Sequence, residues 1–217
     1  MSITDLPADR ELPVDPDEPL LIEWCLPAYD AALVEHVIVD ADVATTWHAV
    51  KTVDLLRVRT PLLVTSIWVR DLPNRLARWR GLEVERPLEA LTLDRGLPGW
   101  EKLGEIPERE FAFGAVGVFW TPQITWRDVS AAEFSAFAEP GYGKIAAAFV
   151  VVPYGLGRTL LAYEVRTATT SPAARRGFLR YWRVVRPFVR HIMRASLRTL
   201  KTDAEDAQRT LRQPRAT

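Results

Sequence analysis

The sequence predicts an α+β fold: a curved antiparallel β-sheet gripping a long C-terminal helix, with two or three shorter helices after the first strand. Three observations predict it. Residues 173–208 keep helical spacing throughout, behind Ser171 as N-cap and Pro172 at the first helical position. Residues 100–169 hold strands in series joined by short turns, the pattern of antiparallel neighbours. The chain has 217 residues, 48% hydrophobic and 26% charged, with eight Trp, which allows one domain with a large aromatic interior.

Taken in order, residues 1–30 form an acidic arm. Pro13, Pro16, Pro19 and Pro27 deny it regular structure, while Leu20, Leu21, Ile22 and Trp24 can pin part of it to the body. AALVEHVIVD, 31–40, is β-branched and partly alternating, hence a first strand. Asp42 then caps a helix with Val43, Trp47 and Val50 at helical spacing. Pro61 opens a second helix, Pro73 breaks or restarts it, and Gly81 ends its last turn. Residues 82–99 read as a loop.

The middle is β-rich. Residues 100–106 and 109–120 read as strands, with Phe111, Phe113, Ala115, Gly117 and Phe119 on one face of the second. Gly114 and Gly117 read as bends or bulges there. Residues 123–129 form another strand and 130–140 a short helix or turn. Strands 143–152 and 159–169 follow, joined by the hairpin connection PYGLGR. On the terminal helix Phe178, Trp182, Val185, Val189, Ile192 and Ser196 form one apolar stripe, widened by Tyr181, Phe188 and Leu200, with arginines over much of the remainder. Pro187 falls inside it and is expected to bend it rather than end it. Beyond about residue 208 the tail is polar and expected to fray.

Net charge is zero, but unevenly spread. Residues 1–30 carry eight acids against Arg10, whereas 171–201 carry eight Arg and Lys201 with no acid. Such an asymmetry can mean an anionic partner, an acidic arm lying on its own basic helix, or simply solvated charge; in a neutral chain the intramolecular or solvated reading is the expected one. The aromatics within RRGFLRYWRVVRPFVR fall on the apolar stripe, so nucleic acid is not an expected partner. The acidic start is no secretory signal and no run of about 18 apolar residues spans a bilayer, which leaves a cytoplasmic location, with transient membrane contact open.

One cysteine, Cys25, excludes an intramolecular disulfide and zinc sites needing two thiolates. His36, His48 and His191 are widely spaced without a ligand motif, so no metal is expected. GYGKI departs from the phosphate-loop pattern at Ala138 and Ile145, and no nucleophile elbow occurs. No cofactor and no catalytic residue is assigned. Glu164 and Arg166 share one strand face while Tyr163 takes the other. Either the pair faces solvent with Tyr163 inside, or it enters the interior as a candidate polar cluster with Arg180.

YEVRTATTSPAARRGFLRYWRVVRPFVRHIMRASL (163–197), FGAVGVFWTP (113–122) and EPGYGKIAAAF (139–149), set in this element order, resemble the START-like, polyketide cyclase-like superfamily and its helix-grip fold. The first run is similar to the strand-to-helix junction of actinobacterial members. The resemblance implies a domain over 31–208, between the arm at 1–30 and a tail at 209–217. It implies a cavity between sheet and terminal helix that takes a hydrophobic or aromatic small molecule or lipid without catalysis. Trp47, Trp68, Phe113, Tyr163, Trp182 and Val185 are the expected lining. The superfamily also hosts cyclase and aromatase enzymes, and a filled, ligand-free core is a third reading; a homodimer is equally open.

Overall fold

Six strands form one antiparallel sheet in the computed structural model, which describes residues 18–52, 99–121 and 123–212. The helices expected between Pro61 and Gly81, Trp68 among their residues, lie outside the described residues. The strands are β1 (Ala31–Val39), β2 (Glu101–Ile106), β3 (Glu110–Val118), β4 (Thr125–Arg127), β5 (Gly143–Pro153) and β6 (Thr159–Thr169). Their order is β1-β6-β5-β3-β2, with β4 pairing the last residues of β3 on the same edge as β2. The helices are α1 (Leu21–Cys25), α2 (Val43–Thr52), α3 (Ala131–Phe134) and α4 (Pro172–Arg212).

Alternation in the strands creates two apolar faces, and each is covered. Phe111, Phe113, Ala147, Phe149, Val151 and Leu161 point inward, where Trp47 and Val50 of α2 and Leu197, Leu200 and Ala204 of α4 pack on them. Ala112, Val116, Ala146 and Ala148 point outward, under Leu21, Ile22, Cys25 and Leu26 of the arm and Phe134 of α3. The chain has the helix-grip architecture: a curled antiparallel sheet holding a long terminal helix.

The local signals at the helix starts operate as read. The Asp42 carboxylate accepts the Thr45 N–H at 2.8 Å, and the Ser171 hydroxyl accepts the Ala174 N–H at 3.3 Å. Helix α4 is one continuous element of 41 residues with Pro187 inside it, and it runs to Arg212.

Four readings change. The arm is not wholly extended: α1 interrupts it, because the buried Glu110 carboxylate accepts the N–H groups of Leu21 and Ile22 at 2.6 and 3.1 Å. Its described part does not lie along the basic helix but under the opposite face of the sheet, where Leu21 and Ile22 find apolar partners. Among the described residues of the arm, Asp30 pairs Arg175 of α4 at 2.8 Å. Gly114 and Gly117 do not bend β3, whose pairing with β5 is regular; the irregularity falls in β2 between Lys102 and Gly104. A Cβ at Gly117 would stand 2.6 Å from the Thr125 carbonyl and 2.7 Å from the Trp126 ring, so glycine there admits a neighbour. The strand expected over 123–129 is only three residues long.

Candidate functional site

The inner face carries a connected chain of rings. Tyr163 of β6 stacks on Phe149 of β5 at 4.2 Å between centroids, with 21° between planes. Phe149 meets Phe113 at 6.2 Å, and Phe113 meets Trp100 at 5.5 Å. Trp100 passes the contact to Trp126 at 6.1 Å, and Trp126 to Phe119 at 6.3 Å. Phe119 reaches Phe178 of α4 at 5.9 Å, and Phe178 reaches Trp182 at 5.7 Å. Such tilted and stacked pairs add about 0.5–1.5 kcal/mol each beyond burial.

Burial along this belt is uneven. The four phenylalanines are buried, whereas Tyr163, Trp100, Trp126 and Trp182 are half-buried. Helix α4 shows the same division. From Met193 onward its stripe is buried against the sheet and α2, while Val185, Val189 and Ile192 stay half-buried. The C-terminal half of α4 is therefore packed core, and its N-terminal half borders the accessible rings.

Polar groups of this face sit at both the Tyr163 end and the Phe111 end. Burial pushes the Tyr163 phenol up to about 12, so it stays protonated across the physiological range and can donate a hydrogen bond. Glu35 is directly opposite Tyr163 in the β1–β6 register and so lies beside it on the same face. Its carboxylate pairs Arg190 at 2.9 Å and Arg194 at 2.8 Å, which ties the edge of the sheet to α4. At the Phe111 end, Lys51 and Lys102 both pair Glu105, at 2.8 and 2.5 Å. Burial raises the Glu105 carboxyl, but the two ammonium groups outweigh it and hold it below the usual range.

Phe113, Tyr163 and Trp182 stand in one ring chain. Trp47 is buried in the same inner core, on α2. Val185 follows Trp182 by one turn of α4. Trp68 lies outside the described residues. Glu164 and Arg166 are paired at 2.6 Å, yet neither of the two expected placements describes them. They point to the outer face and are closed over by the arm, with side chains 12% and 10% exposed. Arg166 donates to the Leu26 carbonyl, pairs Glu23 at 3.8 Å and lies 5.0 Å from the centre of the Tyr29 ring. Arg180 is not with them; it is exposed on α4, on the other side of the sheet.

Sequence reasoning missed Trp100, Trp126 and Phe149. Phe149 sits within AAAFVVVP, whose two alternating faces are both apolar, so period 2 alone does not mark the inner one. Trp100 and Trp126 lie beside turns, and only the pairing of β4 with β3 brings them together. The buried Cys25 thiol is pushed up to about 11, by burial first and by Glu110 second, which removes it as a nucleophile. Among the described residues no group of His, Cys, Asp and Glu is arranged to hold a metal.

No family model matches the chain, and no curated protein matches it. Solved structures do. CalU16 from Micromonospora echinospora is 16% identical, with a TM-score of 0.28 over 83% of this chain and 87% of its own. The Zhui aromatase/cyclase from Streptomyces sp. R1128 is 14% identical, with a TM-score of 0.32 over 86% and 99%. A hypothetical protein, jhp0584 from Helicobacter pylori, is 13% identical, with a TM-score of 0.38 over 84% and 92%. Superpositions this loose assign neither a ligand nor a reaction. The helix-grip architecture stands on the chain's own topology: five long antiparallel strands, flanked by the short β4, held against α4.

Proposed function

We propose that the protein binds a hydrophobic or aromatic small molecule, or a lipid, between the inner sheet face and the N-terminal half of α4, without transforming it. The observation that carries this reading is the half-burial of four rings, Tyr163, Trp100, Trp126 and Trp182, within an otherwise buried aromatic chain. Rings in a closed core bury fully unless a polar tip must reach water, and four spread along one such chain offer a ligand stacking surface with little ordering cost. The neutral Tyr163 phenol supplies one oriented donor for a carbonyl or hydroxyl on the ligand.

A cyclase- or aromatase-type enzyme using the same cavity is the second reading, favoured by one feature. Tyr163 is a protonated acid beside the Glu35–Arg190–Arg194 group, a place where an enolising carbonyl could receive a proton.

Native mass spectrometry of the protein as purified, before and after organic extraction, tests for a co-purifying ligand. N-phenyl-1-naphthylamine titrated into the extracted protein tests the surface itself. Saturable probe uptake, weakened tenfold or more by Trp182→Ala and by Trp126→Ala, is expected. Neither bound mass nor probe uptake would return the molecule to the ligand-free reading.

A further inference from the structure

Helix α4 presents a second face that the ring belt does not use. Arg176, Arg180, Arg183, Arg190, Arg194 and Arg198 recur every three to seven residues, and at 100° per residue they fall on one side of the helix. All but Arg190 are exposed. From the first to the last the row spans roughly 33 Å. Between Ser171 and Thr202 the helix has no acidic residue. The acids that reach α4 from neighbouring elements within this stretch are Glu35, shared by Arg190 and Arg194, and Asp30, on Arg175. Among the described residues Arg176, Arg180, Arg183 and Arg198 have no acidic partner.

Three further facts set this face apart from an ordinary solvated one. Val184 and Phe188, one turn apart and beside the arginine row, are 67% and 43% exposed. Arg183, Arg186, Arg190, Arg194 and Arg198 line a recess of about 570 Å³ near Pro187. Among its lining residues, Arg190 already holds Glu35 through Nε, whereas His191 Nε2 is shielded from solvent without a hydrogen-bond partner. Several guanidinium groups around one recess suit an oxyanion that accepts from more than one of them.

We propose that this face of α4 docks the protein on an anionic lipid surface. Headgroup phosphates occupy the arginine recess, and Val184 and Phe188 enter the headgroup–acyl boundary. The pairing of a long cationic row with an adjoining apolar step is what an interfacial helix presents to a membrane. A nucleic acid would use the arginines but has no need of an exposed valine and phenylalanine in line along the helix. Because α4 borders the half-buried rings with its opposite face, docking through this one leaves the ring belt free.

Sedimentation of the full-length protein with sucrose-loaded vesicles tests the proposal. It needs no small-molecule ligand, so it reads independently of the ring belt. Binding to phosphatidylcholine vesicles carrying phosphatidylserine is expected, with none to phosphatidylcholine alone, and salt should weaken it as the Debye length shrinks to about 8 Å. Each arginine removed should lower affinity about fivefold, so Arg180→Gln, Arg183→Gln and Arg198→Gln together should lower it about a hundredfold. Phe188→Ser should weaken binding at every salt concentration while leaving the melting temperature unchanged, since the ring is exposed. Three outcomes would overturn the proposal: no binding to either vesicle, affinity unchanged by Phe188→Ser, or RNA or soluble inositol hexakisphosphate bound more tightly than the anionic vesicle.

Discussion

Tyr163 shows how one residue's setting defines what the ring belt can do. Stacked on Phe149, its phenol is pushed up by burial to about 12, against about 10 for a free tyrosine. The phenolate is the disfavoured form in the fold. The stability that the neutral phenol contributes is therefore complete below about pH 10 and is lost as pH rises toward 12, where the unfolded chain already binds one proton fewer. Stability of the native protein should fall across that window, and Tyr163→Phe should flatten the fall. Urea denaturation at closely spaced pH values measures the slope, and ultraviolet absorbance should show one tyrosine titrating last. A Tyr163→Phe variant with the same slope would mean that the phenol is better hydrated than its stacking implies. The same substitution separates binding from catalysis: a carrier keeps most of its probe affinity, whereas an enzyme loses turnover.

Among the elements, α4 carries a proline in its interior, which removes one backbone bond and crowds the carbonyl four residues earlier. The helix continues through Pro187 because its two flanks are held independently. Ala174 and Phe178 are buried on the N-terminal side, and Met193, Leu197 and Leu200 on the C-terminal side. Gly177 is a second concession. A Cβ there would meet the Trp120 indole nitrogen at 2.8 Å, so the helix gives up propensity to let that ring lie against its backbone. Pro187→Ala restores the missing N–H toward the Arg183 carbonyl and should stabilise the protein by about 1–3 kcal/mol. Chemical denaturation followed by far-ultraviolet circular dichroism reads the change. A loss of stability would show instead that a bend at Pro187 keeps both ends of α4 on the sheet.

At the scale of the whole molecule, the arm is the lid of the outer face. Glu110 is wholly buried and caps α1, Arg109 pairs Glu18 at 2.5 Å, and Arg166 holds the Leu26 carbonyl. Burial raises the Glu110 carboxyl despite the two N–H groups it accepts, so the penalty of its charge is present at neutral pH and eases as pH falls through its folded value. Breaking this capping arrangement leaves a buried charge or two unpaired N–H groups, each costing about 1–3 kcal/mol. The intact arm should keep the outer face covered, whereas removing residues 1–30 should uncover Leu103, Ala112, Val116 and Phe134 and cause aggregation. Cys25 reports on the intermediate case. Its buried thiol should resist alkylation in the native protein and react quickly in Glu110→Ala, while the ring belt still takes up probe. Equal alkylation of the two proteins would mean that the apolar contacts of Leu21 and Ile22 hold the arm without the cap.

The sequence by itself determined the elements whose causes are local. Ser171 and Pro172 start α4, Asp42 starts α2, and the PYGLGR connection joins the strand-forming runs of β5 and β6, each because the deciding groups lie within a few residues of one another. It also separated Tyr163 from Glu164 and Arg166, since period 2 puts neighbours on opposite faces. Only the tertiary structure decided which face is inside and what covers the other. Arg166 is buried by a carbonyl 140 residues away, and Glu110 by an arm whose prolines read as extended chain. The ring belt was legible at Phe113, Tyr163 and Trp182 but not at Trp100, Trp126 or Phe149. Periodicity reports that a residue is on a face, and strand order alone reports what that face meets.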